Sequence, residues 1–149
     1  MARIILDFDP AQADAPQLTG DSSELIYFLS WAYSARYGAS HELTAASLVL
    51  KGSGINLQPL LTFADRDAED PADEDALDRA WQDAAPLAEC CEAIVQALSN
   101  SGDPRLQTVQ SKYPLLRNAI EELKRTAHWA AERGVRIRVT YALADDASS

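Results

Sequence analysis

Hydrophobic and polar residues alternate near both ends of the chain, with Ile5 as the exception on the face that holds Arg3 and Asp7. Residues 3–8 are predicted to form a strand with Ile4, Leu6 and Phe8 on one face. Residues 135–143 alternate in the same way, with Val135, Ile137, Val139, Tyr141 and Leu143 apolar and Arg136, Arg138 and Thr140 between them. Each strand therefore has one apolar face and one face that carries charges. This pattern predicts a sheet that helices cover on a single face, as in α+β proteins.

The segment that follows the first strand has the pattern of a very apolar helix. Asp21 is placed as an N-cap with Glu24 three positions on, and Gly38 is a natural stop, so a helix is predicted over about residues 22–37. Its apolar residues are Leu25, Ile26, Phe28, Leu29, Ala32 and Tyr33, and Tyr27 and Trp31 widen the apolar surface. Such a helix must be covered on most sides, by its own domain or by a second copy of the chain.

Helical periodicity returns in the second half of the chain. Apolar residues keep one stripe over residues 75–98 and through Pro86, which predicts a single helix with a kink at that proline. Asp103 is expected to cap the next helix, with Pro104 at its first position. Pro114 then breaks or kinks a pattern that continues to residue 133, where Gly134 ends it.

Residues 40–63 admit two interpretations. Residues 47–50 and 55–57 flank Lys51-Gly52-Ser53-Gly54 as the strands of a hairpin would, but Ser40-His41-Glu42-Leu43 could equally cap a helix that continues to Leu50. We expect a short helix or turn followed by the hairpin. The acidic segment 65–75 is predicted to be a loop, because it has almost nothing to bury.

Composition limits the classes of protein to which the chain can belong. Its 149 residues suit one domain, residues 1–149, and 23 acidic against 13 basic residues give a net charge of −10. That charge disfavours nucleic acids and anionic lipids as partners and leaves a basic protein partner open. Met1-Ala2-Arg3 leads directly into the first strand and no apolar run approaches the ~18 residues of a membrane span, so we expect a cytoplasmic protein.

One short motif suggests an enzyme. Ile4-Ile5-Leu6-Asp7-Phe8-Asp9 resembles the first motif of the haloacid-dehalogenase-like phosphatases, in which an apolar strand delivers two aspartates at alternate positions. The resemblance implies magnesium-dependent phosphoryl transfer, with Asp7 as the nucleophile and Asp9 as the general acid and base. The alternative interpretation places Asp7 beside Arg136 or Arg138 in a cross-strand charge pair. We favour that alternative.

Two other groups of residues could suggest metal or redox chemistry. His128 and Glu132 have the i,i+4 spacing of a metal pair, and His41-Glu42 could supply a further ligand, but a solvated helix face explains the pattern as well. The adjacent Cys90 and Cys91 are too close for an ordinary disulfide and fall on or beside an apolar stripe, so both are expected to be buried. We therefore predict no metal site, no cofactor and no assigned catalytic residue.

Aromatic residues on helix surfaces give the prediction that we favour. Tyr27 and Trp31 belong to the apolar first helix, and Trp129 lies on the polar side of the last helix. Trp and Tyr are enriched at the centres of protein interfaces, so these three residues are candidate contact residues. We expect a small mixed or antiparallel sheet that holds both terminal strands and is packed on one face by three or four helices. The expected function is a non-catalytic interaction or regulatory protein, most simply a homodimer.

Overall fold

The computed structural model describes residues 2–35, 38, 41–66, 71–100 and 102–143 of the 149-residue chain. These residues form four strands and seven helices in a mixed order. The elements are β1 (Ala2–Asp9), α1 (Ser23–Ser34), α2 (Glu42–Gly52), α3 (Gln58–Leu61), β2 (Phe63–Asp65), α4 (Pro71–Arg79), β3 (Trp81–Asp83), α5 (Ala84–Asn100), α6 (Pro104–Lys112), α7 (Leu116–Arg133) and β4 (Arg136–Leu143).

Both terminal strands belong to a four-stranded mixed sheet, as predicted, with β4 at its centre and β1 at one edge. β1 pairs antiparallel with β4 along its whole length, so that Asp7 lies opposite Arg138 and Asp9 opposite Arg136. On the other side of β4, the short strands β2 and β3 follow one another along the same edge, β2 parallel and β3 antiparallel to β4. Within the described residues, β1 therefore has a single neighbouring strand.

One face of this sheet is apolar and packs against helices, which confirms the α+β prediction. Ile4, Leu6, Phe8, Ile137 and Val139 are buried on that face. Helix α1 packs on β1, α7 packs on β4, and α5 lies against α7 to close the core. Burying a large aliphatic or aromatic side chain contributes about 1.5–3 kcal/mol, so this layer supplies much of the stability of the fold. None of the helices in the described part of the chain is long and apolar enough to cross a membrane.

The predicted starts and ends of the last two helices are confirmed. The Asp103 carboxylate accepts a hydrogen bond from the Arg105 amide, and Pro104 occupies the first position of α6, where its missing N–H costs nothing. Pro114 lies between α6 and α7. Gly134 ends α7 with φ of 68°, a left-handed conformation that a side chain would disfavour.

The expected hairpin between residues 47 and 57 is wrong, and the helical alternative is the one the chain adopts. Helix α2 continues to Gly52, and residues 55–57 connect it to α3 without pairing in the sheet. The His41 imidazole caps the helix, because its Nδ1 accepts a hydrogen bond from the Leu43 amide at 3.1 Å. Lys51-Gly52-Ser53-Gly54 does reverse the chain, with φ of 92° at Gly54, but it does so at a helix end.

The predictions for residues 65–98 also need correction. Asp65 belongs to β2 and residues 71–75 are helical, while residues 67–70 lie outside the described part of the chain. The single kinked helix is divided in two by β3, and Pro86 lies in the first turn of α5, where no kink results. Pairing of Trp81, Gln82 and Asp83 with β4 stabilises this break, a long-range interaction that helical periodicity does not contain.

The predicted capping box at the start of α1 does not form, because the N-cap residue is Ser22 and not Asp21. The Asp21 carboxylate accepts from the Ser23 amide at 2.9 Å, but Glu24 does not return a bond to Asp21. Instead, Glu24 Oε1 accepts from the Leu115 amide at 2.7 Å and ties α1 to the start of α7. The described part of the helix ends at Ser34, and residues 36 and 37 of the predicted helix lie outside the described residues.

Candidate functional site

The charged face of the sheet holds the two aspartates of the phosphatase-like motif. Asp7 Oδ2 accepts from Arg66 Nη1 at 2.7 Å and from Arg138 at 3.1 Å (Nε) and 3.0 Å (Nη2). The same Arg66 atom also donates to Thr140 Oγ1, and that hydroxyl donates in turn to the Ile5 carbonyl. Asp7 is thus the common acceptor for two guanidinium groups from two different elements.

These contacts determine the ionisation of Asp7. Burial opposes the charged carboxylate, but hydrogen bonds and charge from Arg66 and Arg138 outweigh it, so the pKa of Asp7 lies below its usual value. Arg138 is further fixed by the Leu77 carbonyl of α4 and by the Trp81 ring, whose centroid lies 4.6 Å from the guanidinium carbon. The side chains of Asp7 and Arg138 are only 21% and 19% exposed, so α4 and Trp81 cover part of this face.

Asp9 forms a second cross-strand pair, with Arg136, at the end of β1. The predicted cross-strand pair of Asp7 is therefore present, with Arg138 as its partner, whereas the Asp9–Arg136 pair and the contact from Arg66 were not predicted. Arg66 follows β2, which lies on the far side of β4, so only the sheet topology brings it to Asp7. A carboxylate that binds two guanidinium groups has the environment of a structural ion pair.

The histidines and cysteines occupy separate places. His128 is exposed on α7, whereas His41 stacks on Trp31 at the start of α2. Cys90 and Cys91 are buried in α5, as predicted, and burial raises the pKa of the Cys90 thiol to about 11 and that of Cys91 further still. Over the ranges that the structure describes, no group of three or more His, Cys, Asp or Glu is placed to hold a metal ion.

An aromatic patch lies on the outer side of α1. Tyr27 and Trp31 are one helical turn apart, and Tyr27 is 53% exposed. The Trp31 ring stacks on the His41 imidazole with centroids 4.3 Å apart and planes 1° from parallel. Trp31 also accepts, through its carbonyl, a hydrogen bond from the buried Thr44 hydroxyl of α2. The stacking on His41 and the bond from Thr44 therefore hold α1 against α2 at Trp31, whose side chain is partly buried.

Residues from the α6–α7 turn extend this patch. The Tyr113 hydroxyl donates to Glu42 Oε1 at 2.9 Å, and Lys112 Nζ lies 2.9 Å from the other oxygen of the same carboxylate. Leu115, whose amide binds Glu24, is 42% exposed. We call Tyr27, Trp31, His41, Tyr113 and Leu115 the α1 surface. Its last three members were not found from the sequence, because only the packing of α2 against α1 and of α6 against α2 brings them together.

Trp129, the third predicted contact residue, has a different environment. Its ring meets the Phe8 ring edge-on with centroids 5.4 Å apart, and the Arg133 guanidinium carbon lies over the indole, 4.2 Å from its centroid. The segment after β1 approaches it through Pro16 and Gln17. Trp129 is half-buried, and it lies about 20 Å along α7 from Leu115, at 1.5 Å per residue.

Comparison with known proteins adds no relative to this description. A scan against protein-family models and searches of curated proteins and of solved structures found no match to the chain.

Proposed function

We propose that the protein is a non-catalytic interaction or regulatory protein, located in the cytoplasm, that forms a homodimer through the α1 surface. The observation that carries this proposal is the exposure of Tyr27 and Leu115 beside a fixed, stacked Trp31. Large amphipathic side chains that are already ordered lose little entropy on binding, which is why Tyr and Trp dominate the centres of interfaces.

Charges at the border of the α1 surface already have partners within one chain. Glu42 pairs with Lys112 and Glu24 accepts from the Leu115 amide, so the proposed contact rests on the aromatic and apolar side chains. The net charge of −10 opposes association at long range, and salt screens that repulsion. Self-association should therefore strengthen as salt is added, whereas binding to a basic protein partner should weaken.

The test is the solution mass of the protein over a range of concentrations and salt. We expect a species of twice 16.3 kDa, more populated at higher ionic strength, and we expect Tyr27→Ala and Trp31→Ala each to weaken the dimer by roughly tenfold or more. Leu48→Ala is the matched control, because Leu48 is 54% exposed on α2 and lies outside the α1 surface. A wild-type protein that stays monomeric at the highest concentration would remove the proposal.

A further inference from the structure

The outer edge of β1 is closed by side chains. An edge strand normally presents free amides and carbonyls to solvent, and those groups are a template for pairing with another strand. Here the Ile4 amide donates to Ser22 Oγ at 2.8 Å. The Leu6 amide donates to Gln17 Oε1 at 2.8 Å, and Gln17 Nε2 donates back to the Leu6 carbonyl at 2.8 Å. The Gln17 amide thus makes the two bonds that one residue of an antiparallel strand would make.

The segment that supplies these groups, residues 10–22, forms a strap along β1. Among the described residues, its backbone makes no hydrogen bond to the backbone of β1. A cleft of about 300 Å³ lies between the strap and β1, lined among others by Ile5, Leu18 and Thr19. The strap is therefore attached to β1 by a few side chains, and a space remains between these two segments.

A second attachment holds the strap to α7. Glu122 accepts from the Thr19 amide at 2.9 Å, from the Thr19 hydroxyl at 2.7 Å and from the Gly20 amide at 3.2 Å. Another cleft, of about 230 Å³, lies beside this attachment and reaches Trp129. Segments with few packed contacts open locally at low free-energy cost. Besides the packing of Ala15 and Leu18 against the core and a long Asp14–Arg133 ion pair, the strap is held by the hydrogen bonds of Gln17, Ser22 and Glu122.

We propose that the outer edge of β1 is a strand-pairing site for β1 of a second copy of this chain, and that the strap keeps this site closed. Antiparallel pairing centred on Leu6 would place Ile4 of one copy opposite Phe8 of the other and continue the apolar face of the sheet. The same register places the exposed Arg3 of one copy opposite Asp9 of the other, an attractive pair on the charged face. This surface is separate from the α1 surface and does not depend on the function proposed for it.

The test releases the strap and measures both exposure and association. All variants are made in a Tyr27→Ala background, which weakens association through the α1 surface, and their association is compared with that of Tyr27→Ala alone. With Gln17→Ala, we expect the Leu6 amide to exchange with solvent roughly tenfold faster in dilute solution. At high concentration we expect the Gln17→Ala protein to associate, and we expect exchange of the Leu6 amide to slow again because a second copy covers it. Gln12→Ala is the matched control, because the Gln12 side chain bonds to Pro10 within the strap and does not reach β1.

The register is tested by exchanging charges in the Gln17→Ala protein. Arg3→Asp should weaken the association by setting like charges opposite each other, and adding Asp9→Arg should restore it. The proposal would be overturned by a Gln17→Ala protein that remains monomeric. It would also be overturned if the charge substitutions at Arg3 and Asp9 left the association unchanged. Should Gln17→Ala fail to fold, the unaltered strap is measured instead: the Leu6 amide must exchange faster than the inward-facing Ile5 amide, and equal rates would contradict the proposal.

Discussion

The α1 surface and the surroundings of β1 differ in where their side chains find partners. Around β1, Asp7 binds two arginines and Phe8 packs against Trp129, so both the charged and the aromatic groups are used within the chain. On the α1 surface, Trp31 is oriented by His41, but Tyr27 and Leu115 face solvent over about half of their area. Residue types that suggest a function from the sequence thus occur in both regions. Only their packing shows which side chains have partners within the chain and which face solvent.

Of the substitutions that distinguish the two regions, Trp129→Ala should cause the largest change in the free energy of unfolding. Removing an indole that packs on Phe8 leaves a cavity next to the sheet, and we expect a loss of about 3 kcal/mol in the free energy of unfolding with the dimer constant of the folded protein unchanged. Urea unfolding measures the first quantity and sedimentation the second. Tyr27→Ala is the control and should show the reverse, a change within ~0.5 kcal/mol in stability and a weaker dimer. A Trp129→Ala protein of normal stability with a lost dimer would make Trp129 the contact residue.

Asp7→Asn should have the next largest effect. The substitution leaves Arg138, which is mostly buried, without its carboxylate, and we expect a loss of about 1–3 kcal/mol in the free energy of unfolding. Because the pKa of Asp7 is lowered in the folded state, its contribution is complete above the usual carboxyl pKa and is lost as pH falls through the lower folded value.

Urea unfolding of Asp7→Asn and of the wild-type protein is therefore compared at several pH values. The difference between the two proteins should shrink in acid. A constant difference over the acidic range would show that the ion pair is not its source.

Sequence patterning predicted the parts of the fold that depend on local periodicity or on backbone chemistry. The alternation in β1 and β4, the Asp103-Pro104 start of α6 and the Gly134 end of α7 each have a cause within a few neighbouring residues. Helix α2 was an open alternative that we did not prefer, because its cap is a histidine, which is not a usual N-cap residue, and because a helix end and a hairpin turn both use Gly54. Strand β3 is three residues long and exists through its pairing with β4.

The candidate sites show the same limit. The cross-strand partner of Asp7 could be narrowed to Arg136 or Arg138 because both strands alternate, and Tyr27 and Trp31 could be placed on one helix by counting. Arg66 at Asp7, and His41 at Trp31, come from other elements. Their positions depend on strand order and helix packing, which periodicity along a single segment does not determine. The same holds for Gln17, a residue type with no positional preference, on the edge of β1.

Asp9→Asn should give the smallest effect, although Asp9 lies in the same motif as Asp7. The side chains of Asp9 and Arg136 are 49% and 52% exposed, and ion pairs in such positions contribute only about 0.2–1 kcal/mol, which salt reduces further. We expect a change of about 0.5 kcal/mol in the free energy of unfolding at low salt and almost none in about 0.5 M salt. The effect of Asp7→Asn should persist in that salt, because its partners are partly buried. If the two substitutions responded alike to salt, the difference in burial between the two ends of β1 would not be what separates them.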